Sequence, residues 1–270
     1  MPPHLVHISD THFGDPHPTF NRQAIKKALI KKINDIEGEK ILIISGDITF
    51  KACQQGYRDA EVFFSELIDS CGIARHNVIA CPGNHDIVRE GKPFEDFDRF
   101  IYALRRDHKI SFTDRDSVII SIQQLCFLLV NSASHLDHTY GQIPDATFAL
   151  LENEKSNSHQ YKYRIAVTHH HLIGQEINDI STTRNAYSFL YYLDQSGFDY
   201  VLHGHQHSKL DLVCGNNKIR ILSARSMSYH GRGYSNGFSL LDLESGSVTP
   251  FILTPDEVPG LLTTGVINER

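Results

Sequence analysis

The stretch LVHISDTH, residues 5–12, is a short apolar run that ends in Asp10 and His12. Its aliphatic half reads as a buried strand and its polar half as the loop leaving that strand. The same pattern recurs four more times: KILIIS runs into GDIT (Asp47), NVIAC into PGNHD (Asn84, His85, Asp86), RIAV into THHH (His169, His170, His171), and DYVLH into GHQH (His205, His207). Residues just past the C-terminal ends of strands gather along one rim of an open α/β sheet. Segments far apart in sequence therefore meet at one polar centre. Carboxylate, imidazole and amide donors suit hard-to-borderline divalent metals, and the lack of Cys among the donors argues against a structural zinc site.

Helical patterns separate these strands. Ile25, Leu29, Ile33 and Ile36 recur at helical spacing within 20–36. Residues 57–69 follow with Val62, Phe63, Leu67 and Ile68 on an apolar face, and 94–104 with Phe97, Phe100, Ile101 and Leu104. SVIISI and CFLLVN read as strands, and short helices are expected over 145–151 and 183–195. The alternation stops near Gly204. KLDLVCGNNKIRILSA and FSLLDLESGSVTPFIL then read as two hairpins, turning at Gly215-Asn216-Asn217 and Glu244-Ser245-Gly246. With no repeat or linker in view, residues 1–270 are expected to form a single domain, and the weakly patterned 255–270 a surface tail.

Composition sets the outer limits. A chain of 270 residues with 40% hydrophobic and 21% charged residues is an ordinary globular protein. Its net charge of -6 does not favour nucleic acid as a partner, while metal ions can still supply the local positive charge that an anionic substrate needs. Five Cys without a CxxC spacing read as reduced thiols. The first residues lack a charged signal region, and no apolar run approaches the roughly 20 residues of a membrane span. A cytoplasmic protein is expected.

Taken together and in order, DxH, GD, GNHD, the His cluster and GHxH resemble the calcineurin-like metallophosphoesterase family, from His7 to about Ser208. The resemblance implies a four-layer α/β/β/α sandwich of two packed mixed β-sheets flanked by helices, with the β-rich end completing the second sheet. It implies two divalent metal ions, Mn, Fe or Zn. Asp10, His12, Asp47 and His207 would hold one ion, and Asp47, Asn84, His169 and His205 the other. Asp47 would bridge them, since one carboxylate can hold two cations about 3.5–4 Å apart. The register of the His cluster stays open between His169 and His170, because His171 stands where the family commonly has Pro. His170 could otherwise face substrate and His171 solvent.

His85 follows the ligand position and is expected to stabilise the scissile phosphate or protonate the leaving oxygen, with Asp86 orienting its imidazole. Arg184 is a candidate phosphate contact, as are Arg225 and Arg232. His135, His138, His203 and His230 are expected to be solvated or structural.

The implied chemistry is hydrolysis of phosphate esters by a metal-bridging hydroxide. The motif layout, with GQIPDATFALLENE (141–154) before the His strand, is most similar to class III cyclic-nucleotide phosphodiesterases. A small diester such as cyclic AMP is the leading expectation. The alternatives are a phosphomonoesterase or nuclease on the same centre, and a non-catalytic scaffold. A homodimer is possible on sequence grounds alone.

Overall fold

In the computed structural model, residues 3–16, 21–154, 160–175, 177–229 and 235–258 are described. The first half alternates strand and helix: β1 (His4–Ile8), α1 (Arg22–Asn34), β2 (Lys40–Ser45), α2 (Gln54–Ser70), β3 (Val78–Cys81) and α3 (Glu95–Arg105). A hairpin of β4 (Ser117–Ile122) and β5 (Leu125–Val130) leads into α4 (Asp145–Glu154), β6 (Tyr163–Val167), α5 (Ala186–Gln195) and β7 (Tyr200–His203). Four strands close the chain: β8 (Asp211–Cys214), β9 (Ile219–Ser223), β10 (Gly237–Asp242) and β11 (Val248–Ile252).

Local chemistry explains the ends of these elements. Helix α1 starts at Asn21, whose side chain accepts hydrogen bonds from the amides of Gln23 and Ala24 at 2.9 and 3.3 Å. Lys31 and Lys32 in its last turn complement the helix dipole. Helix α3 carries Glu95, Asp96 and Asp98 at its start and stops at Arg106, which takes a left-handed conformation.

The strands form two mixed sheets, in the orders β11-β10-β1-β2-β3 and β4-β5-β6-β7-β9-β8. In the second sheet the central strands run parallel with an antiparallel partner at each edge; in the first, β1, β2 and β3 run parallel, β10 joins β1 antiparallel and β11 joins β10 antiparallel. Period-two alternation stacks the layers. Phe127, Leu129, Ile165 and Val167 join one core with Leu5, Ile41 and Ile43, between the sheets. Their neighbours Leu128, Val130 and Ala166 face the other way, against Leu151, Phe189 and Leu193 of α4 and α5. Parallel strands covered on both faces read as continuous apolar runs, as KILIIS and CFLLV do. The four-layer sandwich expected from sequence is the fold observed.

Three expectations change. The terminal hairpins divide between the sheets: β8 and β9 extend the second sheet, whereas β10 pairs antiparallel with β1 in the first, Leu5 opposite Leu241. Both hairpins are equally apolar in sequence, and only packing assigns them. Val62 of α2 is 56% exposed and not on the buried face, which Tyr57, Phe64, Leu67 and Ile68 occupy. The stretch from Pro255 begins docked: Val258 is fully buried and Glu257 pairs with Lys32 of α1 at 2.7 Å. The remainder of the expected tail, 259–270, lies outside the described residues. Replacing Val258 with Ala should cost roughly 1.5–3 kcal/mol, measured by chemical denaturation. Lys32→Ala should cost under about 1 kcal/mol, because its ion pair is partly solvated.

Candidate metal centre

The five motif loops leave the C-terminal ends of β1, β2 and β3, neighbours in one sheet, and of β6 and β7, neighbours in the other. The two rims are sewn together. The His205 amide donates to Asp10 Oδ2 at 3.1 Å across the sheets, and within the first sheet Ser9 Oγ donates to the Ser45 carbonyl at 3.0 Å. Ser226 and Ser228 both donate their hydroxyls to the Asp10 carbonyl, each at 3.0 Å.

The backbone at this junction is strained. Asp10, His12, Asp47, His205 and His207 all have positive φ, between 42° and 70°. For non-glycine residues such conformations cost of order 1–3 kcal/mol each and persist only where the surroundings over-determine them. Here they turn consecutive polar side chains inward off straight strands. The neighbouring glycines give the turns room. A methyl group on Gly83 would overlap Asp47 Oδ1, and one on Gly204 would overlap the Ser9 hydroxyl.

Donor atoms converge in overlapping groups. Asp10, His12 and His207 form one, Asp47, His169 and His205 another, and His12, Asp47 and His85 a third between them. Within each group the potential ligand atoms lie within 4.8 Å of one another. His207 Nε2 and His12 Nε2 lie 3.3 and 4.0 Å from Asp10 Oδ1, a buried oxygen with no hydrogen-bond partner among the described residues. Asp47 is common to both sides. Its Oδ1 accepts the His85 amide at 2.8 Å, leaving Oδ2 at 3.9 Å from His12 Nε2 and 3.3 Å from His169 Nε2.

In the His cluster, His169 is the ring that faces the other donors. His169 Nδ1 must donate to the Ser45 carbonyl, 2.8 Å away, so in the neutral ring Nε2 carries a lone pair. That lone pair faces Asn84 Oδ1 at 3.1 Å, His205 Nδ1 at 3.1 Å and Asp47 Oδ2 at 3.3 Å. Asn84 Oδ1 is turned inward because its Nδ2 donates to the His138 carbonyl at 3.0 Å. A carboxylate, an amide oxygen and ring nitrogens crowding one point need a cation, and this donor set fits a divalent metal. Burial would lower His169, yet the Asp47 charge beside it raises its pKa to about 9, so without a metal Nε2 holds a proton against Asp47 Oδ2, and a bound cation would take that proton's place. Burial holds His12 at about 4 and His205 at about 3, so both rings are neutral and available as ligands at pH 7. Asp10 and Asp47 are buried too, but the histidines around them keep both carboxyls below the usual range.

Other expected residues fall elsewhere. His170 is fully buried and its Nδ1 meets Ser132 Oγ at 2.8 Å, so it does not face an open substrate site. His171 is buried as well, not solvated. Its Nε2 lies 2.6 Å from Asp179 Oδ2 and its ring stacks 5.5 Å from that of His205. Asp86 does not orient His85. Its carboxylate accepts hydrogen bonds from the amides of Ile48, Thr49 and Gly83 and the hydroxyls of Thr49 and Tyr57, so it ties the β2 and β3 loops together. Burial and the nearby Asp47 charge raise its pKa to about 6 against those donors.

Arg184 is exposed, with its guanidinium 4.6 Å over the Tyr140 ring, and Arg225 donates to Ser235 Oγ. Neither lines the central cleft. Arg232 and His230 lie outside the described residues. The cleft, about 390 Å³, is lined by His12, Asp15, Asp47, Phe50, His85, His205, His207, Ser228 and Tyr229.

His138, expected to be solvated or structural, is structural: from the loop after β5 its Nδ1 donates to the Asn84 carbonyl at 3.1 Å. Sequence reasoning missed Phe50 and Tyr229, and no pattern marks them.

The sequence profile of the calcineurin-like phosphoesterase family matches residues 3–209. The chain belongs to this family. Membership implies phosphoester hydrolysis with divalent metal ions in a dinuclear site. Among solved structures, a dimetal phosphatase from Danio rerio is similar at 12% identity and a TM-score of 0.65, over 88% of this chain and 91% of that one. The protein TT1561 of Thermus thermophilus is similar at 13% identity and 0.61, over 93% and 99%. The purple acid phosphatase PPD1 from yellow lupin follows at 12% and 0.56, over 88% of this chain and 49% of the other. At these identities the likeness is one of fold. No curated protein matches the sequence significantly.

Gly83→Ala should displace the Asp47 carboxylate and lower metal content below that of the wild type. Elemental analysis of the folded variant, beside a remote control such as Gly72→Ala, checks this.

Proposed function

We propose that this chain is a phosphodiesterase acting at a dinuclear metal site, with a small diester such as a cyclic nucleotide as substrate. The observation that carries the reading is Asp47: one buried carboxylate with one oxygen fixed by a backbone amide and the other turned toward both donor groups. In this reading Asp10, His12, Asp47 and His207 hold one ion, and Asp47, Asn84, His169 and His205 the other. Mn, Fe or Zn suits these oxygen and nitrogen donors. When bound, the pair neutralises phosphate charge and lowers the pKa of water in the cleft.

The chain's own groups do the rest. His85 is half-buried at the cleft floor and donates a proton to the leaving oxygen. The described cleft lining has two carboxylates, Asp15 and Asp47, and no Arg or Lys. That balance supports a diester with one negative charge over a dianionic monoester or the polyanionic backbone of a nucleic acid. The net charge of -6 supports it too.

With added Mn²⁺, turnover of bis(p-nitrophenyl) phosphate should exceed that of p-nitrophenyl phosphate. Preference for the monoester would make the protein a phosphatase, and metal binding without turnover of either would make it a scaffold. Asp47→Ala and Asn84→Ala should each lose metal and lower kcat by roughly 10²-fold or more, beyond the usual effect of an outer partner. Arg184→Ala should stay near wild type. Wild-type turnover and metal content in Asn84→Ala would refute the ligand assignment.

A further inference from the structure

If Asp86 does not orient His85, something else must. Among the described residues the His85 imidazole has no hydrogen-bond partner. One segment, from Asp47 to Ala52, holds the residue by three contacts. Asp47 Oδ1 accepts the His85 amide at 2.8 Å, the Ala52 amide donates to the His85 carbonyl at 2.6 Å, and the Phe50 ring stacks on the imidazole at 5.5 Å and 28°. The His12 ring closes the other side edge-on, 4.9 Å away at 80°.

The segment is built for this at a conformational cost. Lys51 and Ala52 are consecutive non-glycine residues with positive φ, 55° and 50°. This reversal folds the chain back after Phe50. It brings the Ala52 amide to His85, while the Phe50 amide is pinned to the Phe13 carbonyl at 2.8 Å. Phe50 therefore has a fixed backbone and a ring lying along the cleft wall.

We infer that Phe50 is the positioning residue for His85: its ring, mounted on the strained Lys51-Ala52 turn, sets the plane in which the imidazole meets the leaving group. The inference rests on the proposed role of His85. In that role a protonated His85 gives its N–H proton to the leaving alkoxide as the P–O bond breaks, and solvent later returns the proton. A ring without a hydrogen-bonded partner takes its plane from the rings packed on it, here Phe50 on its face and His12 edge-on, so loss of Phe50 misaims the donor without touching a metal ligand.

The test uses the metal-loaded full chain of wild type, His85→Ala, Phe50→Leu, Phe50→Ala and Phe50→Tyr. Each is assayed for metal content and for kcat on a glycerophosphodiester and on bis(p-nitrophenyl) phosphate. Phe50→Leu and Phe50→Ala should keep the wild-type metal content. Both should lose roughly 10–100-fold in kcat on the alkyl ester, the scale of a small misplacement, and far less on the aryl ester, whose phenolate leaves unprotonated. Phe50→Tyr should restore both rates.

In NMR spectra of the metal-free protein, the ring-current shift of the His85 ring protons should vanish in Phe50→Leu and persist in Phe50→Tyr. Equal losses on the two esters, lost metal, or an unmoved His85 resonance in Phe50→Leu would each overturn the inference. If His85→Ala discriminates between the esters and the Phe50 variants do not, the inference fails alone. If His85→Ala does not discriminate, the role of His85 fails and the inference falls with it.

Discussion

One buried carboxylate organises the centre. Asp47 sits at the end of β2, the strand between β1 and β3 in its sheet, and its side chain reaches toward the rim of the other sheet. The His85 amide holds one oxygen, which is what leaves the other free to face His12 and His169. A buried charge is tolerable only when paired and hydrogen-bonded. The histidines, the backbone amide and the tight turn at Gly83 all exist within contact of that requirement. Moving the carboxylate by an ångström would change the geometry on both sides at once.

Strain at the junction is the counterpart. Five side chains of the centre extend from left-handed backbone positions. The dense hydrogen bonding around them explains how these conformations persist. Asp86 gathers five donors from the β2 and β3 loops and from α2, while Ser9, Ser226 and Ser228 tie the first loop to its neighbours. Asp86 thus acts as a rivet behind the site, although its place next to His85 in sequence suggests a catalytic partner. Packed core beneath the loops, under α1, α2 and α3, between the sheets, and under α4 and α5, supplies the rigid base.

Among the described residues, the lining of the cleft above the centre has no Arg or Lys. Binding of an anion there falls to the metal ions of the family's dinuclear site, and discrimination falls to what flanks them. Phe50 on one side packs against His85, and Tyr229 on the other packs 4.3 Å from the His207 ring. The proposed small diester with one negative charge would meet these aromatic walls and the acidic Asp15 there. No described helix is long and apolar enough to cross a membrane.

The amino-acid sequence alone determined the order of strands and helices, the family, and which Asp, Asn and His residues meet. These follow from local periodicity and from the rule that loops after parallel strands share a rim. It did not determine which histidine of three faces the centre. His169, His170 and His171 are chemically identical, and only a carbonyl at Ser45, 124 positions away, selects the Nε2 lone pair of His169. Nor did it determine the partition of the terminal hairpins, since pairing of β10 with β1 depends on which sheet edge is left open. The role of Asp86 and the contact of Phe50 with His85 were decided by tertiary structure for the same reason. Adjacency in sequence says which groups are near, but hydrogen-bond and stacking directions depend on the backbone turns that the whole fold imposes.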